Sequence, residues 1–177
     1  MPGSKDTTLS QIIRSMKKFR DPNKYPQAII KEFKASHWIG TNTCLYQCVA
    51  DSLTKEHSTK YALSFAFHGV EYFPTKTKAT MLTTDVQSNG KRYYYEPPII
   101  GSNPVEIRCQ CPDFRHTFSW EDKAANAMVG KPKPYTRVSP PSGLPPRNPE
   151  HVLGLCKHAY SFAKYLRNSK LIQGQLM

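Results

Sequence analysis

The chain has 177 residues and carries 25 lysines and arginines against 13 acidic residues, a net charge of +12 at neutral pH. Hydrophobic residues make up 38% of it, enough for a modest core, and no stretch approaches the roughly 20 apolar residues of a membrane span. Five cysteines are an odd number and the opening residues are basic, without the apolar centre of a signal peptide; a secreted disulfide scaffold is disfavoured, and synthesis in a reducing cytoplasm is expected. The length favours one domain with extensions.

The first predicted element is a short basic amphipathic helix over Thr8 to Phe19. Leu9, Ile12, Ile13 and Met16 recur at helical spacing, Arg14, Lys17 and Lys18 lie between them, and Asp6, Thr7 or Thr8 can cap the start. Asp21, Pro22 and Asn23 end it, and Pro26 opens a second predicted helix through Ile29, Ile30 and Phe33 to about Ala35. Residues 1–36 therefore read as a basic helical arm, with eight basic and three acidic residues from Lys5 to Lys34. Such an arm either docks on an acidic partner or nucleic acid, or packs as a solvated helix pair on its own domain.

From about Ile39 the pattern turns aromatic, with period two. Thr43 to Val49, Tyr61 to Phe67, Thr80 to Val86, Arg92 to Tyr95 and Val105 to Cys111 are predicted strands, separated by His68 and Gly69, Ser88 to Gly90, and Pro97 and Pro98. An antiparallel sheet suits such short runs and gaps, within a domain spanning 37–177. Cys44 and Cys48 fit one face of a strand or a helical turn; with no partner ligands near them in sequence, they read as buried thiols rather than a second metal pair. Tyr61, Phe65, Phe67, Tyr72, Phe73 and Tyr93 to Tyr95 suit a stacking platform for single-stranded nucleic acid, but the packed face of a sheet is the expected use.

After Cys111, the aromatics Phe114, Phe118 and Trp120 lead into one predicted helix from Glu121 to Met128. Seven of the fifteen prolines then fall within residues 131–149. That stretch can bond little of its own backbone, so it is expected to run extended and to serve as an ordered contact loop. Beyond it, Ala159, Phe162, Ala163 and Leu166 recur at helical spacing, which puts Cys156 and His158 where a loop becomes a helix. No acidic residue follows Glu150, and Lys157, Lys164, Arg167 and Lys170 make this last helix basic. Such a field attracts phosphate without reading sequence.

The chemistry lies in two pairs. Cys109 and Cys111 form C-x-C at the end of a predicted strand, where both side chains project to one side; Cys156 and His158 form C-x-H. Three thiols and one imidazole close a tetrahedral Zn2+ site with no position left for water or substrate. Residues two apart in a regular helix diverge by about 200°, so Cys156 must stand at the helix entrance for both ligands to reach one ion. The amides of the first turn would then favour its thiolate. His116 and His151 are substitute ligands should one of the four fail, and otherwise ordinary loop histidines.

The C-x-C then C-x-H order, from Cys109 to about Leu166, resembles the SWIM zinc finger, a small strand, strand, helix module associated with nucleic-acid or protein binding. The gap from Cys111 to Cys156 is longer than that family usually shows. The strings CQCPDFRHTFSWED, GKPKPY, SPPSGLPPRNPE and GLCKHAYSFAKYL look like a set of tailed-bacteriophage proteins with a SWIM-like site. That resemblance implies a structural zinc protein of the virion that binds neighbouring virion proteins, with packaged or host DNA as a further partner of its basic patches. The alternative is a non-specific DNA-binding or regulatory zinc protein of a phage. An enzyme is not expected: the sequence has no Gly-rich phosphate loop, no G-x-S-x-G elbow and no H-E-x-x-H. The predicted class is α+β: an antiparallel sheet with basic N-terminal helices and a C-terminal zinc site that carries a long proline-rich insertion.

Overall fold

The computed structural model describes residues 6–53, 58–78, 86–132, 148 and 150–176. Helix α1 (Leu9–Lys17) begins with a capping box: the Gln11 amide donates to the Thr8 hydroxyl at 3.3 Å, and the Thr8 amide donates to Gln11 Oε1 at 2.7 Å. Leu9, Ile12, Ile13 and Met16 are all buried, so the apolar stripe read from the sequence enters the core. A single 3-10 turn, Pro22–Lys24, follows.

The second predicted helix is not formed. Ile29–Trp38 is instead strand β1, paired antiparallel with β2 (Thr43–Leu53). The register slips between Lys31 and Lys34, and Glu32 takes a φ of 51°. This bulge puts Ile30 and Phe33, three residues apart, on the same side of a strand whose ordinary period is two. An apolar spacing of three therefore imitates a helix. The boundary expected between arm and sheet domain at residue 36 falls inside β1.

Strand β3 (Ser58–His68) pairs with β2 along its whole length, with Tyr46 opposite Phe65 and Cys48 opposite Leu63. A smaller sheet follows from β4 (Tyr72–Phe73), β5 (Val86–Ser88) and β6 (Lys91–Tyr95), in the order β4-β6-β5. Asn89 and Gly90 turn β5 into β6 with φ of 50° and 72°, the left-handed pair that a two-residue hairpin needs. The expected strand from Thr80 to Val86 lies outside the described residues except at Val86. Strand β7 (Val105–Cys109) then returns to the large sheet beside β3, giving the antiparallel order β1-β2-β3-β7.

After β7 come two short helices, α2 (Pro112–Thr117) and α3 (Ser119–Ala124), where one helix from Glu121 to Met128 was predicted. Pro112 at the first helical position starts α2 early. Asn126, at φ 55°, ends the helical run. The Ile107 amide then donates to Ala127 O at 2.8 Å and the Val129 amide to Ile107 O at 3.2 Å, which covers the outer edge of β7. Of the proline-rich stretch, residues 133–147 and 149 lie outside the described residues, and the contact-loop expectation lies there with them.

Helix α4 (Lys157–Asn168) crosses the inner face of the large sheet, its Phe162 ring 5.2 Å from Phe65 and 6.3 Å from Phe33. Phe65, Phe67, Tyr46 and Tyr95 are fully buried there, so these aromatics pack the sheet rather than offer a platform. Burying each such side chain contributes about 1.5–3 kcal/mol. The fold is thus mixed α and β with antiparallel sheets, and its core lies between the large sheet, α1 and α4. No helix among the described residues is long and apolar enough to cross a membrane.

Candidate metal centre

Each of the four predicted ligands stands at the end of an element. Cys109 is the last residue of β7, Cys111 is the N-cap of α2, Cys156 is the N-cap of α4, and His158 lies in the first turn of α4. The predicted strand through Cys111 thus stops two residues short, and Cys111 reaches its neighbours from a helix cap. Cys156 stands at the helix entrance, outside regular helical geometry, as the C-x-H spacing requires. The four ligand atoms all lie within 4.8 Å of one another, and all four residues are buried. Metal bonds of about 2.0–2.3 Å place neighbouring ligand atoms about 3.5–3.8 Å apart, so closure on an ion needs about 1 Å of movement.

Each sulfur also accepts a backbone hydrogen bond. The Phe114 amide donates to Cys111 Sγ at 3.3 Å, the Ala159 amide to Cys156 Sγ at 3.5 Å, and the Cys111 amide to Cys109 Sγ at 3.5 Å. The first two satisfy donors that a helix start leaves open. The cysteines therefore do the work of Ser or Asp at a cap, and N–H dipoles aimed at sulfur favour the thiolate that a metal needs.

The three thiols compete for negative charge. Burial pushes Cys109 and Cys156 well up, whereas hydrogen bonds from Cys109 and then Cys156 draw Cys111 far below the ordinary thiol range. A divalent cation bonded to all three sulfurs would remove that competition. His158 is 3% exposed, with Nδ1 4.0 Å from Cys156 Sγ and its ring 4.8 Å from the ring of Tyr61. Its Nε2 is buried and makes no hydrogen bond within the described residues. A buried imidazole nitrogen without a protein partner, beside three soft sulfur donors, fits a thiophilic cation. Cys109, Cys111, Cys156 and His158 are thus close enough to bind one metal ion. Comparison with known proteins finds no matching family model, curated protein or solved structure.

His116 and His151 are not part of the cluster. His116 lies in α2, and His151 Nδ1 is 2.8 Å from Glu121 Oε1 at the surface. Cys44 and Cys48 lie apart on the inner face of β2, and burial pushes both thiols up to about 12.

Several supports of the centre carried no signal in the sequence. Asn148 is buried; its Nδ2 donates to Thr117 O at 3.0 Å and Val152 O at 2.9 Å, and its Oδ1 accepts from the Val152 amide at 3.1 Å. It fastens the chain leading to Cys156 against the end of α2. Asp122, fully buried in α3, accepts from the Gly154 amide at 3.1 Å, and burial pushes its carboxyl well above the usual carboxylate range. Gly154 itself passes close to Phe118, where an added Cβ would lie 2.4 Å from the ring. Arg20 joins the end of α1 to the first turn of α2 through Asp113 at 2.9 Å. None of these residue types in isolation marks a ligand support.

Proposed function

We propose that Cys109, Cys111, Cys156 and His158 hold one structural Zn2+ in a SWIM-like centre, and that the protein is a structural component of a tailed-phage virion. The observation that carries the zinc reading is the convergence of four buried donors, every sulfur already accepting a backbone N–H. Four protein ligands leave no open coordination position, so the ion fastens elements together and does no chemistry. It would join the end of β7 and the starts of α2 and α4, and so brace both ends of the proline-rich insertion. A stretch that bonds little of its own backbone needs such bracing to present a defined surface to neighbouring virion proteins. The copy number would be set by the assembly.

The virion reading rests on the likeness of the sequence between Cys109 and Leu166 to tailed-phage proteins. The second reading, a non-specific DNA-binding zinc protein of a phage, is favoured by the +12 net charge and by the basic α4. Elemental analysis of purified protein tests the zinc, with about one equivalent per chain expected and none overturning it. Quantification in washed particles separates the two roles. A fixed copy number supports the virion component, whereas absence from particles with salt-sensitive retention on DNA supports the alternative.

A further inference from the structure

A pocket of about 250 Å³ opens beside the metal cluster, where β7, α2 and the start of α3 meet. Phe114 and Met128 form its apolar wall, and Arg108, Gln110, Arg115 and Ser119 supply its polar groups. Two arginines therefore line one small space, and no described carboxylate lines it. We propose that this pocket binds a phosphoryl group, held between Arg108 and Arg115.

Three observations point there besides the charge. Arg115 Nε is buried and has no hydrogen-bond partner within the described residues. The Arg115 side chain is thus short of acceptors within the fold, and an oxygen-rich occupant of the pocket it lines would supply one to its guanidinium. Arg108 is fixed in place, its Nη1 donating to Val129 O at 3.1 Å. Gly130, at φ 74°, makes that placement feasible, because a Cβ there would lie 2.7 Å from Arg108 Nη1. Trp120 follows Ser119 in the chain and is 51% exposed, an aromatic plane of the kind on which a nucleobase stacks.

Phosphate suits the arrangement better than carboxylate. One guanidinium fork already satisfies both oxygens of a carboxylate, whereas two forks on separate elements match the several oxygens of a tetrahedral anion. Three thiolates and a histidine around a dication would carry a net charge of −1. Two arginines more than offset it, and one positive charge remains for a ligand.

The test is titration of the metal-loaded full chain, at one fixed salt concentration, with inorganic phosphate, a nucleoside 5′-monophosphate and a short oligothymidylate. The wild-type protein is expected to bind at least one of these, and Arg115→Gln to weaken that binding about tenfold or more with metal content unchanged. Lys170→Gln, on the basic stretch after α4, is expected to change it less than twofold. Arg115→Lys keeps the charge and removes the buried Nε donor, so an intermediate loss is expected; it also serves if Arg115→Gln fails to fold. Tighter binding of the oligonucleotide that Trp120→Ala removes assigns the phosphate to a strand, and equal binding of all three probes assigns it to a free anion. No binding by wild type overturns the proposal, as does a loss in the Arg115 variants no greater than in Lys170→Gln. Phosphate binding that depends on Arg115 in protein that never takes up metal would count against the zinc centre alone.

Discussion

Two groups of cysteines lie within one core, and they differ in everything except burial. On the large sheet Cys48 stands opposite Leu63, and Leu63 stands opposite Cys109, so a single row holds a cysteine of each kind with one leucine between them. Cys44 and Cys48 lie within β2, opposite Phe67 and Leu63, where the backbone is committed to the sheet, and burial pushes both thiols up to about 12. Cys109, Cys111 and Cys156 sit at element ends, where amides are uncommitted and turn toward sulfur. Burial alone makes a cysteine a small hydrophobe. Position at the end of an element equips it to be a ligand.

The largest expected effect breaks the second group. Cys156→Ser or His158→Ala should release about one equivalent of metal per chain and lower stability by several kcal/mol, since metal held only by the folded state is folding free energy. Elemental analysis paired with urea denaturation checks this, and chelation of the wild type should reproduce it. Retained metal with unchanged stability would erase the distinction between the groups.

Next is Gly154→Ala, which tests the approach to the cluster without touching a ligand. The new methyl group meets the buried Phe118 ring, and overpacking of this kind costs about 1–3 kcal/mol. A fall in the urea midpoint is expected, with metal still bound. Cys48→Ala is the matched change on the other side. It removes one small buried group and should cost about 1 kcal/mol, with metal content untouched; a loss of metal there would merge the two groups.

Thiol labelling sharpens the contrast kinetically. At pH 8 with a chelator present, Cys111, the thiol drawn below its ordinary range, should react ahead of Cys44 and Cys48, whose thiols stay protonated until about pH 12 or until the chain unfolds. Mass spectrometry of the labelled peptides reads the order directly.

The smallest effect concerns a histidine that neighbours a cysteine of the first group. His37 lies opposite Cys44 on β1, 3.1 Å from the Tyr72 hydroxyl, and burial lowers its pKa to about 4. Below about pH 6.5, the ordinary histidine value, the unfolded chain takes up this proton and the folded chain does not. Stability from this group is therefore present above that pH, falls as the pH drops toward about 4, and levels off below. His37→Gln should flatten the wild-type slope in that window, as seen by urea denaturation at successive pH values. An unchanged slope would show that His37 is not held neutral by the fold.

Much of the site was legible because metal ligation is written in residue type and short spacing. C-x-C and C-x-H name their donors without any knowledge of the fold, and the helical periodicity after His158 located Cys156 at the helix entrance. The stripe of α1 and the strands β2, β3 and β7 were equally plain, since each buries one face and its period shows. β1 was not, because a bulge at Glu32 gave its apolar residues a helix-like interval. The early start of α2 was hidden because Cys111, read as a ligand, is also its cap.

The sequence by itself determined the donor set, the antiparallel character and the sign of the charge, since these depend on side-chain chemistry and on periods within a few residues. Only the tertiary structure brought the two pairs together, with their four ligand atoms within 4.8 Å of one another. It also placed Asn148, Asp122 and Gly154 behind the cluster and brought Arg108 and Arg115 to one pocket. Apart from the two arginines, which share a short stretch of chain, those outcomes depend on distances between residues far apart along the sequence. Packing sets such distances, and no local pattern encodes them.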